Sequence, residues 1–207
     1  MYVKSRKPPD RKRTMHKNVY TAENAAMLLI DHQTGTISWT RSHDVEQVKK
    51  NAVQLAKIAK GVGMPLVLTS SMEENIQGPL IPELEEVAPD AFAKRVKRTG
   101  IVNAMHDPNY SNTVKATERK KVIVAGITTE ICVVFPVLQL LDEGYHVQVV
   151  TDASASFTKA GDAAALRRME QAGAVITSTA QVVSELAIDW TTPRGKALAE
   201  LLGLGLV

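Results

Sequence analysis

The chain has one cysteine, Cys132, within Gly126-Ile-Thr-Thr-Glu-Ile-Cys132. An apolar run precedes this segment and a stretch of helical spacing follows it, so the thiol is expected at a strand–helix junction. Unpaired backbone N–H groups at a helix N-terminus favour a thiolate. The same groups can hold a developing oxyanion. Pro136 fits a helix start near Cys132, because proline is tolerated early in a helix and costly later. Position alone does not make a nucleophile, since free cysteines are common as small buried apolar residues.

Two further residues carry chemistry that a thiol needs. Asp31 directly follows the apolar run Ala25-Ala-Met-Leu-Leu-Ile30, where a carboxylate is costly to bury without a partner. It fits a general base that takes the thiol proton and returns it to a leaving group. It fits equally the N-cap of a following turn. Arg98 lies in Lys97-Arg-Thr-Gly100. A cation there can orient Asp31 and support a thiolate, or it can be one more solvated charge beside Lys94, Arg95 and Lys97.

The elements that must position these residues follow from the patterning. Apolar runs at 25–30, 65–69, 121–126, 146–150 and 174–177, with a weaker one near 93–96, predict six short strands. Helical spacing is expected over 44–60, 109–117, 131–143, 160–172, 179–188 and 195–202, with a short helix after Pro82. Strands alternating with helices imply parallel pairing and right-handed crossovers. The run Val122–Ala125 is apolar without alternation, as in strands covered on both faces. The expected architecture is a three-layer α/β/α sandwich with a central, mostly parallel six-stranded sheet of Rossmann-like type. Ligands in such sheets bind beyond the carboxyl ends of the strands. Asp31, Arg98 and Cys132 each follow a predicted strand, so they are expected to converge there.

Four segments, Ile30-Asp-His-Gln33, Arg98-Thr-Gly-Ile-Val-Asn-Ala104, Val124-Ala-Gly-Ile-Thr-Thr-Glu-Ile-Cys-Val133 and Val150-Thr-Asp-Ala153, occur in one order over residues 20–190. In this the chain resembles the isochorismatase-like cysteine hydrolases, most closely their YcaC-type branch. The resemblance implies that hydrolase fold and a triad of Asp31, Arg98 and Cys132. It implies a covalent acyl-enzyme released by water, and a cis peptide at Ile127–Thr128 that aims the Thr128 N–H beside that of Cys132 as an oxyanion hole. Much of the family has lysine where this chain has Arg98. Arginine stays charged, so the role expected here is orientation and electrostatics. A retained cysteine points to the amidase-type members and to a small amide-like or ester bond. The arginine and the basic N-terminus keep a second reading open, a non-catalytic ligand-binding or scaffold protein with the same fold. Homo-oligomers, as tetramer or octamer, are also implied.

Composition bounds the partners. No apolar run approaches the roughly 20 residues of a membrane span, and no apolar stretch follows the basic N-terminus as in a secretory signal. One cysteine forms no internal disulfide, which suits a reducing cytoplasm. The net charge of +3 divides unevenly. Residues 1–18 carry seven basic residues against Asp10 alone, and the remainder is mildly acidic. That arm, read as flexible or interface-forming ahead of a single domain over 19–207, has Tyr2 as its aromatic residue before the domain. That is too little to stack bases, so a nucleic-acid partner is not expected. His16, His32, His43, His106 and His146 show no ligand spacing, so no metal and no cofactor are expected. His32 reads as structural. Gln33, Trp39, Asn103 and Phe135 are candidate pocket residues, although core packing or a turn explains the last three equally well. The loops near 34–42, 71–82 and 153–160 are expected to shape the pocket.

Overall fold

The computed structural model describes residues 19–203. The chain runs β1 (Ala25–Ile30), α1 (Thr34–Ser38), α2 (Val45–Val62), β2 (Leu66–Ser71), α3 (Pro82–Val87), α4 (Pro89–Ala93), β3 (Val96–Arg98), α5 (Pro108–Ala116), β4 (Lys121–Gly126), α6 (Val134–Asp142), β5 (His146–Val150), α7 (Lys159–Gln171), β6 (Val175–Thr177), α8 (Thr179–Ala187) and α9 (Pro193–Leu201). The strands form one six-stranded sheet in the order β3-β2-β1-β4-β5-β6. All five pairings are parallel.

β1 occupies the centre because its six side chains are apolar and every one is buried. Successive residues of a strand face opposite sides, and both sides here are covered. Ala25, Met27 and Leu29 pack with Leu55 and Ala59 of α2 and with Val182 and Leu186 of α8. Ala26, Leu28 and Ile30 pack with Tyr110 and Val114 of α5 and with Val137 and Leu140 of α6. Burying each large aliphatic side chain contributes roughly 1.5–3 kcal/mol. The two cores therefore hold helices on both faces, the three-layer sandwich expected from the patterning.

Three local details differ from the expected elements. Residues 89–93 coil into α4 behind Pro89, so β3 begins at Val96. Proline is at home in a first helical turn. The short helix α1 has no apolar periodicity to announce it. The helix expected over 131–143 begins as a π-helical turn, Thr129–Val133, and becomes α-helical at Val134. The arm over residues 1–18 lies outside the described residues. Among the described residues, no helix is long and apolar enough to cross a membrane.

Candidate active site

The sheet order reverses between β1 and β4, the first strand of each half. Crevices beyond the strand ends at such a reversal are the usual ligand sites of open α/β sheets. Asp31 stands at the end of β1, in a left-handed backbone conformation with φ of 56° that aspartate tolerates better than most residues. Its N–H donates to the Thr69 carbonyl of β2 at 2.9 Å, and its own carbonyl accepts from the Gln33 N–H at 2.7 Å. This tight turn, not a helix cap, fixes Asp31. The residue that starts α1 is Gln33.

Arg98 ends β3, two strands from β1, or about 10 Å at ordinary strand spacing. Its side chain spans that gap over Thr69 of β2. Nε donates to the Thr69 hydroxyl at 3.0 Å, and that hydroxyl donates in turn to the Val96 carbonyl at 2.7 Å. Nη1 donates to the Ile101 carbonyl at 2.7 Å, and Nη2 pairs with Asp31 Oδ2. Arg98 and Asp31 are 2% and 1% exposed, so the solvated-charge alternative does not hold. Burial opposes the charge on both residues. For Arg98, the Asp31 carboxylate outweighs burial and holds its pKa above the ordinary value. For Asp31, burial prevails over the arginine and raises the carboxyl above the ordinary range.

Cys132 sits in the π-helical turn beyond β4, within electrostatic reach of Asp31 and Arg98. Burial, and then the Asp31 carboxylate, push its thiol well above the ordinary value, against the pull of Arg98 and of the Thr128 N–H. The resting group at neutral pH is therefore a thiol. The helix N-terminus expected to hold a thiolate starts two residues further on, at Val134. The Ile127–Thr128 peptide is cis, and the Thr128 N–H bears on the Cys132 sulfur. The second expected oxyanion donor is already engaged. Ile131, Cys132 and Val133 all donate their N–H to the Thr128 carbonyl, Cys132 at 2.9 Å.

A cavity of about 190 Å³ lies over these groups, and Gln33 and Trp39 are among the residues that line it. Gln33 also has a structural duty. Its side-chain amide bonds the Ser71 backbone in both directions and the Gly78 carbonyl, tying the loop after β2 to β1. Asn103 and Phe135 line a neighbouring depression instead. Asn103 caps a 3₁₀ turn by accepting from the Met105 N–H and bonds Gln139. Phe135, in the first turn of α6, is partly exposed there with the Arg168 guanidinium over its ring. Among the lining residues missed are these six, Thr36, Met72, Gln77, Ile101, Ile131 and Phe157. Four of them lie in the three loops expected to shape the pocket, but no spacing rule picks loop side chains one by one. Tyr110 was missed as well. It is fully buried, close enough to Arg98 and Asp31 to feel their charges, and its hydroxyl has no partner among the described residues. His32 is structural as read, with Nε2 bonded to the Ala153 carbonyl at 2.8 Å. Among the described residues, no group of three His, Cys, Asp or Glu side chains is placed to hold a metal ion.

A doubly wound parallel sheet with a carboxylate, a guanidinium and a thiol gathered at its reversal point defines a class of α/β protein with a cysteine-centred pocket. Within that class the chain belongs to the isochorismatase family of hydrolases, whose isochorismatase-domain model matches residues 25–181. It is 41% identical over 167 residues to the protein named "Probable hydrolase YcaC" of Escherichia coli (strain K12), covering 81% of this chain and 79% of that one. Its fold matches the crystal structure of the Escherichia coli YcaC gene product, described as an octameric hydrolase of unknown specificity. That match has a TM-score of 0.83 at 38% identity, over 90% of this chain and 94% of the other. YcaC from Pseudomonas aeruginosa, solved with hexane-2,5-diol and covalent acrylamide, matches with a TM-score of 0.84 at 36% identity, over 92% and 97%.

Proposed function

We propose that this protein is a metal-independent cysteine hydrolase that cuts a small amide-like C–N bond, or an ester, through a covalent acyl-enzyme on Cys132. The observation that carries the reading is the convergence of Asp31, Arg98, Cys132 and the Thr128 N–H on one cavity, from segments far apart in the chain. In the first step Asp31 takes the thiol proton as Sγ attacks the substrate carbonyl carbon. The oxyanion forms toward the Thr128 N–H, with the Cys132 N–H shared between it and the Thr128 carbonyl. Asp31 then protonates the leaving nitrogen, the C–N bond breaks and a thioester remains. Water, deprotonated by Asp31, attacks the thioester and returns the thiol and a carboxylic acid. Arg98 moves no proton. All three of its engaged nitrogens serve to hold Asp31 in place and to balance its charge.

The Pseudomonas aeruginosa relative carries covalent acrylamide, an electrophile that nucleophilic side chains capture, which supports a nucleophile in this fold. The octameric Escherichia coli relative supports a homo-oligomer here too. A working thiol suits the reducing cytoplasm. The test pairs chemistry with turnover. Intact mass after acrylamide or iodoacetamide treatment should show one adduct, located to Cys132 by peptide mapping. Cys132→Ala should lose both that adduct and hydrolysis across a screen of amides, imides and esters. Hydrolysis that persists in Cys132→Ala rejects the acyl-enzyme. An adduct at Cys132 with no turnover of any compound would leave the ligand-binding protein as the better description.

A further inference from the structure

We propose that the cavity over Cys132 selects small, uncharged amides with an apolar acyl group, and excludes anionic and cationic substrates. The inference deepens the hydrolase reading and rests on it for the bond that is cut. Size is the first constraint. At about 190 Å³ the cavity is smaller than the roughly 300–1,000 Å³ that suit drug-sized ligands. Its walls are the second. The rings of Trp39 and Phe157 stand 6.4 Å apart and 17° from parallel, with Met72, Ile101, Val102 and Ile131 completing the apolar lining.

Charge is the third constraint and the most restrictive. Arg98 is the one cation in the lining and Asp31 the one acid. They pair with each other, and Arg98 is further bonded to Thr69 and Ile101. The pair is neutral as a unit, and the one oxygen of it without a hydrogen-bond partner among the described residues, Asp31 Oδ1, is the atom left to take the thiol proton. An anionic group here stands beside a buried carboxylate, a cationic group beside a buried guanidinium, and each sheds its water against a pair whose charges already balance. The remaining polar features favour an amide over an ester. Thr36 and Gln77 belong to the lining, and the Thr36 hydroxyl and Gln77 Oε1 are buried with no hydrogen-bond partner among the described residues. An amide –NH₂ supplies donors for such acceptors, whereas an ester oxygen supplies none.

The test uses binding and turnover in parallel. Isobutyramide and benzamide represent neutral amides, succinamate the anionic class and glycinamide the cationic one. Affinity is measured by calorimetry or ligand-observed NMR on Cys132→Ala, and ammonia release on the wild type. The neutral amides should bind Cys132→Ala about tenfold or more tighter than either charged amide. Trp39→Ala should weaken benzamide about fivefold while leaving acetamide nearly unchanged, a size dependence that loss of folding would not produce. Charged amides that bind as well as the neutral ones, or a panel of which none binds, overturn the selectivity. Neutral amides that bind with the stated preference but release no ammonia overturn the hydrolysis reading and leave the selectivity standing. A wild type that cuts succinamate best does the reverse.

Discussion

At the scale of residues, the proposed hydrolysis depends on the protonation of Asp31 and Cys132. Cys132 is held as a thiol by burial and by the neighbouring carboxylate, and Asp31 is itself raised by burial. A pre-formed thiolate gives an alkylation rate that levels off near neutral pH. Burial of Cys132 beside a carboxylate predicts the opposite. The rate of iodoacetamide labelling of Cys132 should keep rising through the alkaline range, with no plateau below pH about 8.5, the ordinary thiol value. The acid limb of kcat/KM should lie above the ordinary carboxylate range of about 4, and Asp31→Asn should abolish it together with activity. A labelling plateau at neutral pH would show that the site stores a thiolate. The three residues were legible in the sequence through their order and their place after strands. Their charge state was not, because spacing carries no information on burial, and burial decides the state here. The same limit explains Tyr110, which reads as one more aromatic in a polar helix and proves to be fully buried beside the ion pair.

At the scale of elements, six strands and most helices were legible because each is a short apolar run or a periodic stretch bounded by Gly or Pro. The turn that carries Cys132 was legible only as the start of a helix. Its π-helical form depends on three N–H groups sharing the Thr128 carbonyl, a tertiary arrangement with no pattern in the side chains. What supports the turn from outside is Glu130. Its Oε1 accepts from the Phe157 N–H at 3.0 Å, and its N–H donates to the Ser156 hydroxyl. Glu130 also lies against the first turn of α7, where the positive end of the helix favours a carboxylate. That contact requires Gly161, since a Cβ there would stand 2.0 Å from Glu130 Oε2. Gly161→Ala must therefore displace Glu130, and with it both the Cys132 turn and the loop that presents Phe157. The expected loss is about 1–3 kcal/mol in urea unfolding, accompanied by a higher KM for the substrate that the screen identifies. Unchanged stability together with unchanged KM would show that Glu130 has no such bracing role.

At the scale of the whole molecule, the groups buried to build the site also set how the fold responds to acid. Glu73 anchors the pocket loop after β2 by ion pairs with Arg95 at 2.6 Å and Lys97 at 3.0 Å and by a bond from Ser70. Burial opposes its charge, but these partners prevail and lower its pKa to about 2. Its stabilising effect is present above the ordinary carboxylate value and fades only as pH falls toward 2. His32 acts earlier. It packs beneath the turn after β1 with no exposed surface, and burial lowers its pKa to about 4, although its bond to the Ala153 carbonyl works the other way. The folded form holds a neutral imidazole, while the unfolded chain protonates near pH 6.5. Below that value the unfolded state binds the extra proton, so folding stability should fall as pH drops from about 6.5 toward 4. The depression corresponds to a loss on the order of 3 kcal/mol at the lower end. Glutamine places an amide nitrogen near the position of Nε2 and does not titrate. In His32→Gln, urea midpoints measured between pH 7 and pH 4 should therefore decline less steeply than in the wild type, with the difference between the two curves confined to that window. Parallel curves would mean that His32 is not the group through which acid reaches the fold, and that the acid sensitivity lies with the carboxylates alone.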